Sequence, residues 1–270
     1  MLHTVEAIAR QAGAVLRAHY ERPRHADHKQ GNTIDLVTAA DRESEELIVP
    51  ALQAAFPDHH VIGEEGGGYG PPPESTPYHW YVDPLDGTTN FAHRVPHFAV
   101  SIALSSPDLQ PLLGVVYDPM RDELFKAIRG HGALLNGRQL RVSTVRDLAD
   151  ALVVTGFPYD RWTTTDNNIA HFGNFVLRTA GVRRTGAAAL DLGYVAAGRL
   201  DVYWEHGPYA WDVQAGLLCV LEAGGQVTDY AGAITHDGLS GNHILATNGH
   251  LHAQAVSVLT QGEKAPRPSC

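Results

Sequence analysis

Between Tyr81 and Phe91 the chain reads Tyr-Val-Asp-Pro-Leu-Asp-Gly-Thr-Thr-Asn-Phe, a strand-like run that enters a turn carrying two carboxylates and leaves it as a helix. Asp83 and Asp86 can converge on hard cations, which take oxygen ligands. Gly87 permits close approach of the backbone, and the first amides of the new helix point at an anion. Cation and phosphate sites would therefore adjoin. Taken alone, Asp-Gly-Thr reads as a turn with an aspartate capping a helix.

Two further elements change that reading. Gly63-Glu64-Glu65-Gly66 stands at a strand end about twenty residues earlier, and Trp211-Asp212 opens a helix that runs to Glu222-Ala223-Gly224-Gly225. Either is weak alone, because paired glutamates are commonly solvated and an aspartate in a first turn commonly answers the helix dipole. Their joint occurrence is specific.

In this order the elements resemble the inositol monophosphatase family, within the metal-dependent, lithium-sensitive sugar phosphatase superfamily that includes fructose-1,6-bisphosphatases. The likeness spans nearly the whole chain: Asp35 to Asp41, Gly63 to Glu65, Asp83 to Phe91, Arg183 to Leu192 and Trp211 to Val213. Thr155-Gly156-Phe157-Pro158-Tyr159-Asp160 looks like the bacterial inositol-1-monophosphatase branch.

The resemblance implies a layered αβαβα sandwich and two or three Mg²⁺ ions per active site. Glu64, Asp83 and the Leu85 carbonyl would bind a first ion, and Asp83, Asp86 and Asp212 a second, with Asp83 bridging. Gly87 and Thr88 match phosphate-cradling positions. Thr88 with Asp41 matches the pair that orients the attacking water near Glu64. Gly186, Ala187, Ala188 and Glu205 match positions against the polyol ring, with Glu64, Leu85 and Asp212 also at the substrate. One departure is Ala187, where many members carry Ser or Thr, so a hydroxyl contact is missing. The register of Lys29, near where relatives often carry a loop lysine, is left open. Hydrolysis of a phosphate monoester needs an activated water, a neutralised phosphoryl group and a stabilised leaving alkoxide, which is the work of a two-cation site. Oxygen ligands select Mg²⁺, and no Cys or His constellation beside these residues selects zinc.

The elements that must position these residues follow from pattern. Apolar residues at helical spacing predict a first helix over 4–20, capped by Thr4, and a second from Asp35 that Pro50 kinks or shortens. Strands are predicted at 60–63, 81–83, 99–104, 112–117 and 123–127, with 66–77 an exposed, flexible loop. From about 145 strands and helices alternate: a strand over 150–155, helices at 167–179 and 187–197, a strand over 201–205, and helices at 211–223 and from 251. An α+β half over 1–146 thus joins an α/β half over 147–262, with a loose tail at 263–270.

Composition narrows the class. At 270 residues with 44% hydrophobic and 19% charged content, the chain can bury a large core. It shows no long apolar run, and Cys219 and Cys270 make no disulfide framework, so a cytoplasmic protein is expected. A net charge of -10 argues against nucleic acid or an anionic membrane, and means that a phosphate dianion needs bound cations. His93 and His97 are separated by Pro96 and no His-Glu-x-x-His occurs. His59-His60 reads as a solvated turn, His206 as a loop residue beside the site, and Cys219 as core.

The expected activity is Mg²⁺-dependent hydrolysis of a small polyol phosphate, myo-inositol 1-phosphate first. Fructose 1,6-bisphosphate, histidinol phosphate and a 3'-phosphoadenosine nucleotide are the alternatives. Glu205 favours a neutral polyol, since a carboxylate there repels a second phosphate. A different class is a phosphatase-fold protein that contacts RNA polymerase or ribosomal components, as some relatives do. The family also implies a homodimer and inhibition by lithium.

Overall fold

The computed structural model describes residues 1–21, 27–28 and 36–261. Lys29, Asp35 and the tail lie outside these. The first part contains α1 (Leu2–Tyr20), β1 (Asp27–His28), β2 (Leu36–Val37), α2 (Ala39–Ala55), β3 (His60–Gly63), β4 (Gly67–Tyr69), β5 (His79–Asp86) and α3 (Thr88–Ala92). There follow β6 (Ala99–Ser105), β7 (Pro111–Asp118), β8 (Glu123–Ile128), β9 (Ala133–Leu135) and β10 (Arg138–Gln139). The later part contains β11 (Leu152–Thr155), α4 (Ile169–Val176), β12 (Gly181–Arg183), α5 (Ala188–Ala196), β13 (Val202–His206) and α6 (Ala210–Glu222). It closes with β14 (Gln226–Asp229), α7 (His236–Ser240), β15 (His243–Thr247) and α8 (His252–Thr260).

Two sheets are each buried on both faces. The larger has the order β10-β9-β8-β7-β6-β5-β3-β4, antiparallel except for the β3–β5 pair. Alternate residues of β6 divide between cores: Val100, Ile102 and Leu104 face Ile8, Leu16, Ile48 and Leu52 of α1 and α2, while Ala99 and Ala103 face the cluster of α5 and α6. The smaller sheet runs β12-β11-β13-β15-β14, parallel across the first three strands and antiparallel beyond. Its Tyr203, Ile244 and Ala246 join the α5 and α6 core, and Val202, Trp204 and Leu245 face Phe175 of α4 and Val258 of α8. The result is the αβαβα sandwich, with α5 and α6 as the shared middle layer.

Several local expectations are corrected. Helix α1 starts at Leu2 with Met1 as its cap, and Thr4 is already helical, its amide bonded to the Met1 carbonyl. Helix α2 continues through Pro50 to Ala55. Ile48, Val49 and Leu52 anchor its buried face, while Glu46, whose carbonyl Pro50 cannot serve, is on the exposed side. The 66–77 stretch is not merely loop: β4 pairs with β3, and Pro73–Ser75 forms a 3-10 turn. His60 lies in β3 with Nδ1 against the Pro71 carbonyl at 2.8 Å, and His59 Nδ1 accepts from Trp80 Nε1 at 3.0 Å, so neither is a solvated turn residue. His206 ends β13 rather than lying in a loop. Strands β9, β10, β12, β14 and β15 and helix α7 carry too little local pattern to be seen in the sequence.

Candidate active site

The site begins with an irregularity in β5. Asp83 pairs with Ser101 and Asp86 with Ala99, so three steps along β5 answer two along β6. In a regular strand residues three apart face opposite sides; the extra residue returns both carboxylates to one side. Pro84 sits within it, where no ladder donor is needed. Gly87 then turns the chain with φ +91°, and an added Cβ would meet the His97 carbonyl at 3.0 Å and Gly186 at 3.2 Å. Only glycine fits there. Helix α3 starts at Thr88, so its first amides have no acceptor within the helix.

Helix α2 supports this turn through one face, Asp41, Ser44 and Glu45. Asp41 is fully buried; Thr38 donates to its Oδ2 through the amide at 2.7 Å and the hydroxyl at 2.5 Å. The Thr88 hydroxyl lies 3.0 Å from Asp41 Oδ1 and 3.1 Å from the Leu85 carbonyl, and its one proton serves either. Ser44 donates to the Pro84 carbonyl. Glu45 accepts from the Glu65 amide at 2.9 Å, and Glu64 donates its amide to the Val82 carbonyl, so the Glu-Glu turn is gripped from both sides.

The later half closes the opposite wall. Asn90 Nδ2 donates to the carbonyls of His97 and Thr185, tying α3 to the segment that carries Gly186. The Ala188 and Ala189 amides donate to Asp86 at 3.1 and 2.8 Å. Ala188 therefore spends its amide on Asp86 and presents only its methyl group, and Ala187 is likewise buried. Glu205, at the end of β13, accepts from the Tyr203 hydroxyl at 2.9 Å. Asp212 accepts the Tyr209 amide at 2.7 Å at the start of α6.

These elements enclose a cavity of about 330 Å³ lined by Glu64, Asp83, Asp86, Glu205 and Asp212, by Leu85, Gly87, Thr88, Gly186, Ala187 and Ala188, and by Arg184. Among the described residues, Arg184 is the only Lys or Arg in that lining. Burial first, then the charge of Glu64, raises Asp83 well above the usual carboxylate range; burial and then Asp212 do the same to Asp86. Burial pushes Asp41, Glu205 and Asp212 up to about 7. Such crowding is the condition that divalent cations relieve, and the donors are carboxylates and a carbonyl, which fits Mg²⁺. Every site residue expected from the sequence among Glu64, Leu85, Asp86, Gly87, Thr88, Gly186 and Glu205 reaches this cavity; Asp41 stands behind Thr88.

Sequence reasoning missed other members. Arg184, Phe157, Pro158, Tyr159 and Trp211 line the same cavity. All five lie inside the quoted motifs, which was the only signal available. Glu45, which grips the Glu64 turn, has no distinguishing signal in the sequence beside Glu43 and Glu46. At the cavity edge, Asp166 and His243 meet His206 of the lining, with ligand atoms within 4.8 Å of one another, although no local spacing links them.

The five-layer sandwich, with a carboxylate-lined cavity closed by the starts of α3, α5 and α6, defines the sugar phosphatase class of fold. A model of the inositol monophosphatase family matches residues 1–264, and the chain belongs to that family. It is 48% identical over 250 residues to a protein named Nus factor SuhB from Pseudomonas aeruginosa, covering 92% of this chain and 91% of that one. It is also 48% identical to an inositol-1-monophosphatase of Synechocystis, over 86% of this chain and 79% of the relative. Among solved structures, an inositol monophosphatase from Anabaena superposes with a TM-score of 0.86 at 42% identity, covering 99% of this chain and 96% of that one.

Proposed function

We propose that this chain hydrolyses the phosphate monoester of a small polyol, with myo-inositol 1-phosphate as the first candidate substrate, in a Mg²⁺-dependent reaction. The observation that carries the reading is the cavity itself: five carboxylates and one arginine in its lining, with Asp41 held against Thr88 behind it. Glu64, Asp83, Asp86, Asp212 and the Leu85 carbonyl would hold the cations, which when bound neutralise the phosphoryl group and acidify the attacking water. The family membership and the Synechocystis and Anabaena relatives support the same class.

The chain's own residues supply the rest. With the Thr88 proton given to Asp41, the Thr88 oxygen has lone pairs free to orient a water beside Glu64 and take its proton. Asp41, poised near 7, is a suitable acceptor for the proton that Thr88 passes on. Water oxygen bonds to phosphorus, the ester P–O bond breaks, and the leaving alkoxide takes a proton from solvent at the cavity mouth. Gly87 and the first α3 amides face the phosphate, and Glu205 accepts hydrogen bonds from ring hydroxyls.

The experiment is phosphate release from a panel: inositol 1-phosphate, fructose 1,6-bisphosphate, histidinol phosphate and a 3'-phosphoadenosine nucleotide, each with Mg²⁺. A preference for inositol phosphate is expected, and a preference for a bisphosphate would overturn the polyol assignment. A second reading, a binding role in transcription, is favoured by the relative named Nus factor SuhB. It is tested by co-sedimentation of the purified protein with RNA polymerase, for which no co-migration at micromolar concentration is the contrary result.

A further inference from the structure

A second group of ligands stands at the edge of the carboxylate cavity, whose lining includes His206, where the segment after β11 meets the ends of β13 and β15. Asp166 Oδ2 lies 3.2 Å from His243 Nε2 and 3.7 Å from His206 Nε2. The two imidazoles stack with centroids 4.3 Å apart and planes inclined by 23°.

Their hydrogen bonds decide what the inward nitrogens carry. His206 Nδ1 lies 2.9 Å from the Asn242 carbonyl, which only accepts, so Nδ1 bears the proton. His243 Nδ1 lies 2.8 Å from Asp237 Oδ2 and 3.3 Å from Asn242 Nδ2, and the shorter contact, to an oxygen that accepts, favours the same tautomer. Asp237 is itself held by Asn242 Nδ2 at 2.6 Å. With one proton on each ring, both Nε2 atoms turn lone pairs toward the Asp166 carboxylate. Three lone-pair donors then converge, and the alternative is a single proton on His243 Nε2 that makes the 3.2 Å contact a hydrogen bond to Asp166.

We propose that Asp166, His206 and His243 bind one divalent transition-metal ion of the zinc class, which clips the segment after β11 to the second sheet. Two imidazoles and one carboxylate are the donor set such ions select, whereas Mg²⁺ favours oxygen alone. Bond lengths near 2.0 Å in a tetrahedron place ligand atoms about 3.3 Å apart. The Asp166 pair at 3.2 Å already stands there, and its half-exposed side chain can follow the metal. A His ring proton on a backbone carbonyl and another on a carboxylate are the outer contacts that metal-bound imidazoles use. The clip would act on the pocket wall, since Phe157, Pro158 and Tyr159 precede Asp166 in that segment and His206 follows Glu205.

The test uses metal-free full-length protein titrated with Co²⁺ and Zn²⁺ in excess Mg²⁺, reading the visible Co²⁺ spectrum and calorimetric stoichiometry. Wild type and Asp83→Asn should each take one ion with a four-coordinate Co²⁺ spectrum. His243→Gln and Asp166→Asn should bind it at least about a hundredfold more weakly. Zn²⁺ should also slow hydrogen exchange over residues 160–168 in wild type and not in Asp166→Asn. Asp166 is exposed enough that its variant should fold even if His243→Gln does not. Loss of the ion in Asp83→Asn, or equal uptake by all variants, would overturn the proposal. So would no uptake by wild type, leaving the cluster a protonated pair.

Discussion

Glu205 shows how much one side chain can be asked to do. Tyr203 donates to one of its oxygens, while an added Cβ at Gly156 would stand 1.8 Å from the other, so backbone and hydroxyl together fix the carboxylate at the cavity edge. No hydrogen bond joins it to Asp41 or Thr88, and it should act on recognition of the polyol. Glu205→Gln keeps the shape and one acceptor, and should cost about 1 to 3 kcal/mol in kcat/KM for inositol phosphate. An aryl phosphate without hydroxyls should be hydrolysed about as before. Equal losses on both substrates would move Glu205 into the water or cation machinery. The carboxylates of the Asp83 to Asp86 motif were legible in the sequence because they occupy a short run. His206 with its partners Asp166 and His243 was not, because nothing local joins them.

At the scale of elements, the site depends on supports that hold no expected ligand. Helix α2 grips the Glu64 turn through Glu45, which accepts the Glu65 amide at 2.9 Å. Glu45→Ala should lower stability by about 1 kcal/mol or more, by leaving that donor unanswered. It should also speed hydrogen exchange over residues 63–69 and reduce turnover, whereas unchanged exchange and turnover would separate α2 from the site. The strands and helices around the motifs were readable from short apolar runs and helical patterning. The bulge that brings Asp83 and Asp86 to one side was not, because register depends on the partner strand β6. Nor was the passage of α2 through Pro50, where packing of Ile48, Val49 and Leu52 outweighs a lost backbone bond.

The molecule holds a cluster of carboxylates in and behind one cavity, which links its stability to pH and to cations. Asp41 and Asp212 are raised from 3.8, and Glu205 from 4.5, to about 7 in the metal-free fold. Raised folded-state values mean that the native state holds more protons than the unfolded chain between roughly pH 4 and 7. Stability from these groups is therefore present at acid pH and lost as pH rises through about 7. Chelated protein should show a higher Tm at pH 5.5 than at pH 8, and Mg²⁺ should raise Tm more at pH 8; the opposite order would contradict the charge assignment. Lithium at millimolar concentration should slow turnover relative to a sodium control, as the family resemblance implies. The most direct measurement is phosphate release from inositol 1-phosphate by wild type and Asp83→Asn across a Mg²⁺ titration, with chelator as the zero point. The buried carboxylate centre predicts no release without Mg²⁺, restoration on adding it, and a loss of at least about a hundredfold in a folded Asp83→Asn. Metal-independent turnover, or Asp83→Asn activity within tenfold of wild type, would contradict it.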